Sequence, residues 1–392
     1  MPYTKRRRSG LAFACAALAA TTLGASAASA EPTAGNLSRG SYTSSAGTLS
    51  YETYVPASYK QGSQMPLIVA LHGCTQTADN FRTQTRFDDL AASKGFIVVY
   101  PEQSKANNNL TCWNWFQQAD MQRGSGEPSL IAGITKTVQA KYGVDPNKVY
   151  VGGLSAGGAM AAVMGATYPD IYAAIGVGSG CEYSAGAPCA GYQSADPEQA
   201  GKSAHQAMGT NARVLPFIVF QGDQDTTVPP VNAQQAVRAG QVMADLADDG
   251  DENGSIPTGA AKVVNGQAPG GESYTVSFYN DGTGKELAQY WLVHGMGHAW
   301  SGGDASQQFS DPKGPDESLA MYDFFMDHPM GGGPSAGGGS SSGGSSTGGG
   351  KLPTAGGGTS TWPTVPGLPK SSVSSWPTVP GIKWTAWKLP GT

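Results

Sequence analysis

The sequence is short of charge. Asp, Glu, Lys and Arg together make up only 14% of its 392 residues, too little for a charge-driven disordered chain. No cluster of Lys or Arg follows Arg8. Four of the 24 basic residues (Lys5, Arg6, Arg7, Arg8) and none of the 29 acidic ones lie in the first 30, so the remainder carries about nine more acids than bases. Phosphate binding needs clustered positive charge, and nucleic acid is therefore excluded as a partner. Past residue 31 no run approaches the ~20 apolar residues that span a bilayer, which argues against a membrane partner. Cysteine is scarce too, five residues with no Cys-x-x-Cys spacing, so a zinc ribbon or finger is not expected.

The N-terminus reads as an address. A basic run, an apolar stretch from Leu11 to Leu23, and Ala28-Ser29-Ala30 before Glu31 match the three regions of a cleavable export signal over residues 1–30. Arg7-Arg8 also suits twin-arginine export, so the route stays open. Removing Cys15 with the signal leaves Cys74, Cys112, Cys181 and Cys189. That is an even set with three possible pairings, in keeping with disulfides in an extracellular, oxidising compartment.

Glycine is abundant, 56 residues, but 14 of these lie between Gly331 and Gly358. This stretch reads as a flexible Gly/Ser linker over 331–361. Beyond it, Trp362-Pro-Thr-Val-Pro-Gly367 recurs as Trp376-Pro-Thr-Val-Pro-Gly381, followed by Trp384 and Trp387. Two short copies cannot build a repeat core. Residues 362–392 are expected to be a disordered tail, one that can present Trp faces to an insoluble polymer surface.

Between these ends, residues 31–330 form one catalytic domain in this reading. Short apolar runs recur at Leu67–Leu71, Phe96–Tyr100, Val149–Val151, Ala173–Val177, Phe217–Phe220 and Tyr290–Val293. Uninterrupted runs of this length suit parallel strands covered on both faces. Amphipathic segments between them, such as Leu130 to Val138 and Ala159 to Met164, suit helices. The result is an α/β sandwich with sites at the carboxyl ends of its strands. Thr48 to Val55 reads as an antiparallel edge strand. Cys181 to Arg213 and Ala244 to Gly271 read as irregular insertions, the second with a solvated acidic cluster that does not follow a calcium-loop spacing.

One motif carries chemistry directly. Gly153-Leu154-Ser155-Ala156-Gly157 falls between a strand and an Ala/Met helix, the setting of a nucleophile elbow. Serine needs a base, and the base an orienting carboxylate, in the chain order Ser, acid, His. His294 and His298 both follow the last strand. His298, on a Gly-flanked loop, is the better general base. Of the two aspartates in Gln221-Gly222-Asp223-Gln224-Asp225, Asp225 lies further from the strand end and is assigned the orienting role. The oxyanion hole is expected from the N–H groups of Ala156 and Cys74, the latter on the Leu71-His72-Gly73-Cys74 loop. Trp300 and Trp113 are expected to bind substrate. The chemistry calls for no metal or organic cofactor.

Six segments, Leu71-His-Gly-Cys-Thr-Gln-Thr77, Tyr100-Pro-Glu-Gln103, Cys112-Trp-Asn-Trp-Phe116, Gly153-Leu-Ser-Ala-Gly-Gly-Ala159, Gly222-Asp-Gln-Asp-Thr-Thr-Val228 and Gly297-His-Ala-Trp-Ser-Gly-Gly303, closely resemble the polyhydroxybutyrate depolymerase family of esterases. All lie in order between about residues 40 and 330. The resemblance implies an α/β-hydrolase fold with a mostly parallel central sheet and helices on both faces. It implies a Ser155, Asp225 and His298 triad, a Cys74–Cys112 disulfide, and a secreted serine esterase acting on hydroxyalkanoate polyesters or oligomers. Relatives acting on feruloyl or acetyl esters of plant polysaccharide define the alternative enzyme. An alternative of another class is a surface-binding protein on a hydrolase scaffold.

Overall fold

A computed structural model of the chain describes residues 1–2, 35–186, 189 and 196–331. The expected export signal and the linker and tail beyond Gly331 lie outside the described residues. The chain divides into residues 1–32 and 33–392, and the architecture below belongs to the second unit.

Among the described residues, ten strands form one sheet. In chain order they are β1 (Asn36–Ser44), β2 (Gly47–Val55), β3 (Leu67–Leu71), β4 (Ile97–Glu102), β5 (Val149–Leu154), β6 (Ala174–Gly178), β7 (Phe217–Gly222), β8 (Lys262–Gln267), β9 (Ser273–Asn280) and β10 (Glu286–Val293). Their order across the sheet is β1-β2-β4-β3-β5-β6-β7-β10-β9-β8. The six central strands, β4 to β10, are parallel, and antiparallel pairs close both edges. Every residue of β3 is buried, as the unbroken apolar run requires of a strand covered on both faces.

Alternation within each strand sorts the core into two layers. Leu67, Val69 and Leu71 of β3 and Val149 and Val151 of β5 face one cluster, with Leu130, Ile134, Met160, Met164, Val237 and Met243. These helical residues belong to α3 (Gly126–Tyr142), α4 (Ala156–Thr167) and α6 (Val231–Asp249). Ile68, Ala70 and Tyr150 point the other way, onto Phe81, Phe87, Phe324 and Phe325 of α1 (Ala78–Thr85), α2 (Phe87–Lys94) and α7 (Glu317–Asp327). This is the α/β-hydrolase architecture. Among the described residues, no helix is long and apolar enough to cross a membrane.

Three sequence expectations change here. Thr48–Val55 is not the sheet edge, because β1 pairs along its whole length outside it. The segment after Cys181 contains a helix, α5 (Pro197–Met208), whose Asp196 caps the N–H groups of Glu198 and Gln199. The acidic cluster is largely helical, since α6 runs on to Asp249. Its Asp245 accepts bonds from Gly254 N, Ile256 N and Ser255 Oγ and so ties down the loop leading to β8.

Candidate active site

The sharpest local constraint lies between β5 and α4. Ser155 sits there at φ 58°, ψ −121°, a left-handed conformation that a non-glycine residue adopts only when its surroundings enforce it. Its N–H donates to Gly178 O of β6 at 2.8 Å and its carbonyl accepts Ala159 N at 3.0 Å. Two residues on, a Cβ at Gly157 would collide with Leu71 O of β3, so only glycine lets α4 approach the neighbouring strand this closely. The elbow thus holds Ser155 at the carboxyl edge of the sheet and at the positive end of a helix.

The strand order brings the other two loops to the same edge. Asp225 follows β7, and His298 follows β10, the next strand over. The His298 loop folds back over β7 so tightly that a Cβ at Gly222 would strike Met296 O. His298 Nδ1 then meets Asp225 Oδ2 at 2.7 Å, with side chains 10% and 0% exposed. Asp225 also accepts Thr227 N at 2.8 Å, Val228 N at 2.9 Å and Gln221 Nε2 at 3.1 Å. Four donors on a fully buried carboxyl suit an anion held in one orientation. Nδ1 of His298 therefore carries the proton it donates, which leaves Nε2 with the lone pair. Neither Nε2 nor Ser155 Oγ makes a hydrogen bond among the described residues. In substrate-free sites this bond is commonly open and closes on binding.

The loop after β3 borders the serine. The side-chain position of Gly73 lies 3.5 Å from Ser155 Cβ. Gly73 N is already committed to Gln76 Oε1 at 2.9 Å, whereas the Cys74 and Ala156 N–H groups donate to no acceptor among the described residues. Buried His72 braces this loop: Nδ1 donates to Gly73 O at 2.7 Å and Nε2 accepts Gln103 N at 3.0 Å. Burial pushes its pKa down to about 4, so it is a neutral strut. The Cys74–Cys112 disulfide closes 38 residues and adds about 3–4 kcal/mol on the chain-entropy account. A second disulfide joins Cys181 and Cys189.

Trp113 and Trp300 do not line an opening. Trp113 is wholly buried and donates Nε1 to His72 O at 3.0 Å. Trp300 is 1% exposed, donates Nε1 to Ser318 Oγ at 3.0 Å and packs edge-on against Phe81 and Phe87. They belong to the two opposite core layers, Trp113 with Leu71 and Trp300 with Phe81, as expected of indoles this large, which gain most by complete burial. Accessible aromatics include Phe309, edge-on to His298 at 6.1 Å, and two neighbours of Trp113 in the Cys112 segment. Trp115 packs against the Ala159, Cys181, Cys189 and Val228 cluster, and Phe116, edge-on to it at 5.5 Å, is 48% exposed. Sequence pattern alone could not separate Trp113, Trp115, Phe116 and Trp300, since all are aromatic and close to a proposed site residue.

Glu182, beside the second disulfide, is buried with neither carboxyl oxygen hydrogen-bonded among the described residues. It borders a cavity of about 40 Å³ lined by Ala162, Val177, Leu215, Val219 and Met243. Burial pushes its pKa up to about 7 from 4.5. Between these two values the folded chain holds a proton that the unfolded chain has lost, so stability falls as pH rises through the window. The unfolding midpoint in urea should therefore drop less between pH 5 and pH 8 in Glu182→Gln than in the unsubstituted protein. A difference of about 2 kcal/mol is expected; equal pH slopes would contradict the assignment.

A nucleophile elbow on a mostly parallel sheet, with an Asp–His pair at the same edge, defines an α/β-hydrolase. Sequence comparison agrees: the chain belongs to the Esterase PHB depolymerase family, which it matches over residues 49–248. It is 33% identical over 252 residues to poly(3-hydroxyalkanoate) depolymerase C of Paucimonas lemoignei, covering 60% of this chain and 59% of that one. It is likewise 33% identical over 201 residues to feruloyl esterase B of Neurospora crassa, covering 47% of this chain and 67% of the relative. Among solved structures, an acetyl xylan esterase from Aspergillus awamori is similar at a TM-score of 0.54 and 26% identity, over 67% of this chain and 94% of that one. The matches span roughly half to two thirds of these curated relatives' lengths.

Proposed function

We propose that the protein is a secreted serine esterase that cleaves polyester-type ester bonds, in hydroxyalkanoate polymers or their oligomers, through an acyl-enzyme. The observation that carries this reading is the buried 2.7 Å contact between His298 Nδ1 and Asp225 at the same sheet edge as the strained Ser155 elbow. In the mechanism, Ser155 Oγ attacks the ester carbonyl while His298 Nε2 takes its proton. The Cys74 and Ala156 N–H groups receive the oxyanion. Collapse expels the alcohol, which leaves with the proton from His298, and Ser155 remains acylated. Water, deprotonated by the same imidazole, then attacks the acyl carbon, and the proton returns to Ser155 as the acid departs. Each oxyanion donor is worth about 3 kcal/mol of transition-state stabilisation. Two disulfides and the N-terminal pattern of a basic run, apolar stretch and Ala-Ser-Ala support export. The Trp/Pro tail is the segment we assign to polymer contact.

A second reading is kept because an acetyl xylan esterase and a feruloyl esterase are among the similar proteins: an esterase acting on plant polysaccharide. A substrate panel on the purified protein separates the two. The first reading expects p-nitrophenyl butyrate and hydroxybutyrate oligomers to be hydrolysed well, with feruloyl esters and acetylated xylan at least tenfold slower. The reverse order would establish the second.

A further inference from the structure

The structure contains a second Asp–His pair one step along the same two loops. His294 Nδ1 stands 3.0 Å from Asp223 Oδ2, with side chains 38% and 30% exposed. It cannot serve as the general base, because both ring nitrogens are engaged: Nε2 lies 3.0 Å from Thr275 Oγ1. Asp223 is equally committed. Its Oδ1 accepts Gly295 N at 2.9 Å and Gln224 Nε2 at 3.0 Å.

These bonds cross between the two loops that carry Asp225 and His298. Around them the backbones are laced together, with Asp223 N donating to Val293 O and Gln224 N to Met296 O, both at 3.0 Å. From His294 the network continues outward through Thr275 of β9 to Asn265 of β8, whose Oδ1 accepts Thr275 Oγ1 at 2.9 Å. One polar chain thus ties the acid loop after β7 to β10, β9 and β8. The His298 loop is also held by His294 N, which donates to Ser273 O of β9 at 2.9 Å, and by buried Met296. Gly295, at φ +98°, and Gly297 give it backbone freedom, and the N–H of Gly295 itself is held by Asp223 Oδ1.

We infer that Asp223 and His294 are a positioning pair, a clamp that sets the register of the His298 loop against the Asp225 loop so that the imidazole is held for proton transfer. The inference rests on the proposed Ser155–His298–Asp225 triad. Neither member of the clamp touches substrate; both act through the placement of His298. A displacement of about 1 Å in a catalytic group costs up to about 100-fold in rate, so loss of the clamp should appear in kcat.

The test uses the full-length protein and p-nitrophenyl butyrate. His294→Leu removes both ring bonds and should lower kcat ten- to a hundredfold with KM within twofold. His294→Asn puts an amide nitrogen where Nδ1 was, keeps the bond to Asp223, and should return kcat to within about threefold of the unsubstituted protein at the same thermal midpoint as His294→Leu. Asp223→Ala should match His294→Leu, and the double variant should be no worse than either single, as for two residues acting as one unit. Unchanged kcat in folded His294→Leu or Asp223→Ala, a loss confined to KM, or additive losses in the double variant would each overturn the clamp. So would an asparagine variant no better than leucine. His298→Ala, assayed alongside, separates this inference from the reading beneath it. If His298→Ala keeps its activity the triad fails; if it is inactive while His294→Leu is normal, only the clamp fails.

Discussion

Ser155→Ala should abolish ester hydrolysis while leaving the fold intact. The expected fall in kcat is about 10⁵- to 10⁶-fold, with substrate binding little changed, because removing the nucleophile of such a unit leaves only the contribution of the oxyanion donors and binding. The Ser155 hydroxyl makes no structural hydrogen bond among the described residues, so its loss removes no support from the elbow. The strained backbone itself is held by the Gly178 O and Ala159 N contacts, which alanine retains. Circular dichroism and the thermal midpoint should therefore match those of the unsubstituted protein. Residual activity within a hundredfold would mean that another group attacks the ester.

Asp225→Asn should be the second large effect, lowering kcat by about 10⁴-fold. The reason lies in its four hydrogen bonds. Oδ1 takes the N–H groups of Thr227 and Val228, while Oδ2 takes Gln221 Nε2 and His298 Nδ1. An amide has one acceptor oxygen. The two backbone donors would claim it and leave the NH₂ group facing His298. The imidazole would then turn the wrong tautomer toward Ser155, with its proton on Nε2 and no lone pair for the hydroxyl. The loss should sit in kcat, and the variant should be less stable, since Gln221 Nε2 and the new amide would confront each other as two donors in a fully buried site.

The strands were legible because they are buried on both faces. Leu67–Leu71 is an apolar run with no polar interruption, and β3 has those same bounds. The elbow was legible because its glycines are demanded by close approach, as Gly157 shows against Leu71 O. What stayed hidden was decided by partners distant in sequence. The edge strand β8 and its neighbour β9 flank a polar, Gly-rich stretch; β8 is almost wholly exposed, so burial leaves no alternation to read there. The helix α5 did carry a local signal, Asp196 followed by Pro197, a capping residue before a proline in the first turn. Its small and polar composition masked the apolar face.

The choice between two aspartates and two histidines shows the same division. Order along the chain narrows the site to Asp223 or Asp225 and His294 or His298. The pairing itself depends on how the loop after β10 folds over Gly222, which no spacing rule encodes. Trp113 and Trp300, expected at the substrate, are buried instead. Proximity in sequence to a site residue says nothing about which face of the loop an indole occupies, and a large aromatic near a core defaults to burial.

The central claim is that Ser155 is the hydroxyl activated by His298. A fluorophosphonate probe tests it most directly, because it phosphonylates only a serine made nucleophilic by its surroundings. Mass spectrometry of the digested, labelled protein should find one equivalent of adduct, on the peptide containing Ser155, and none after His298→Ala. An unlabelled Ser155 in fully active protein, or labelling that persists undiminished in His298→Ala, would contradict the account.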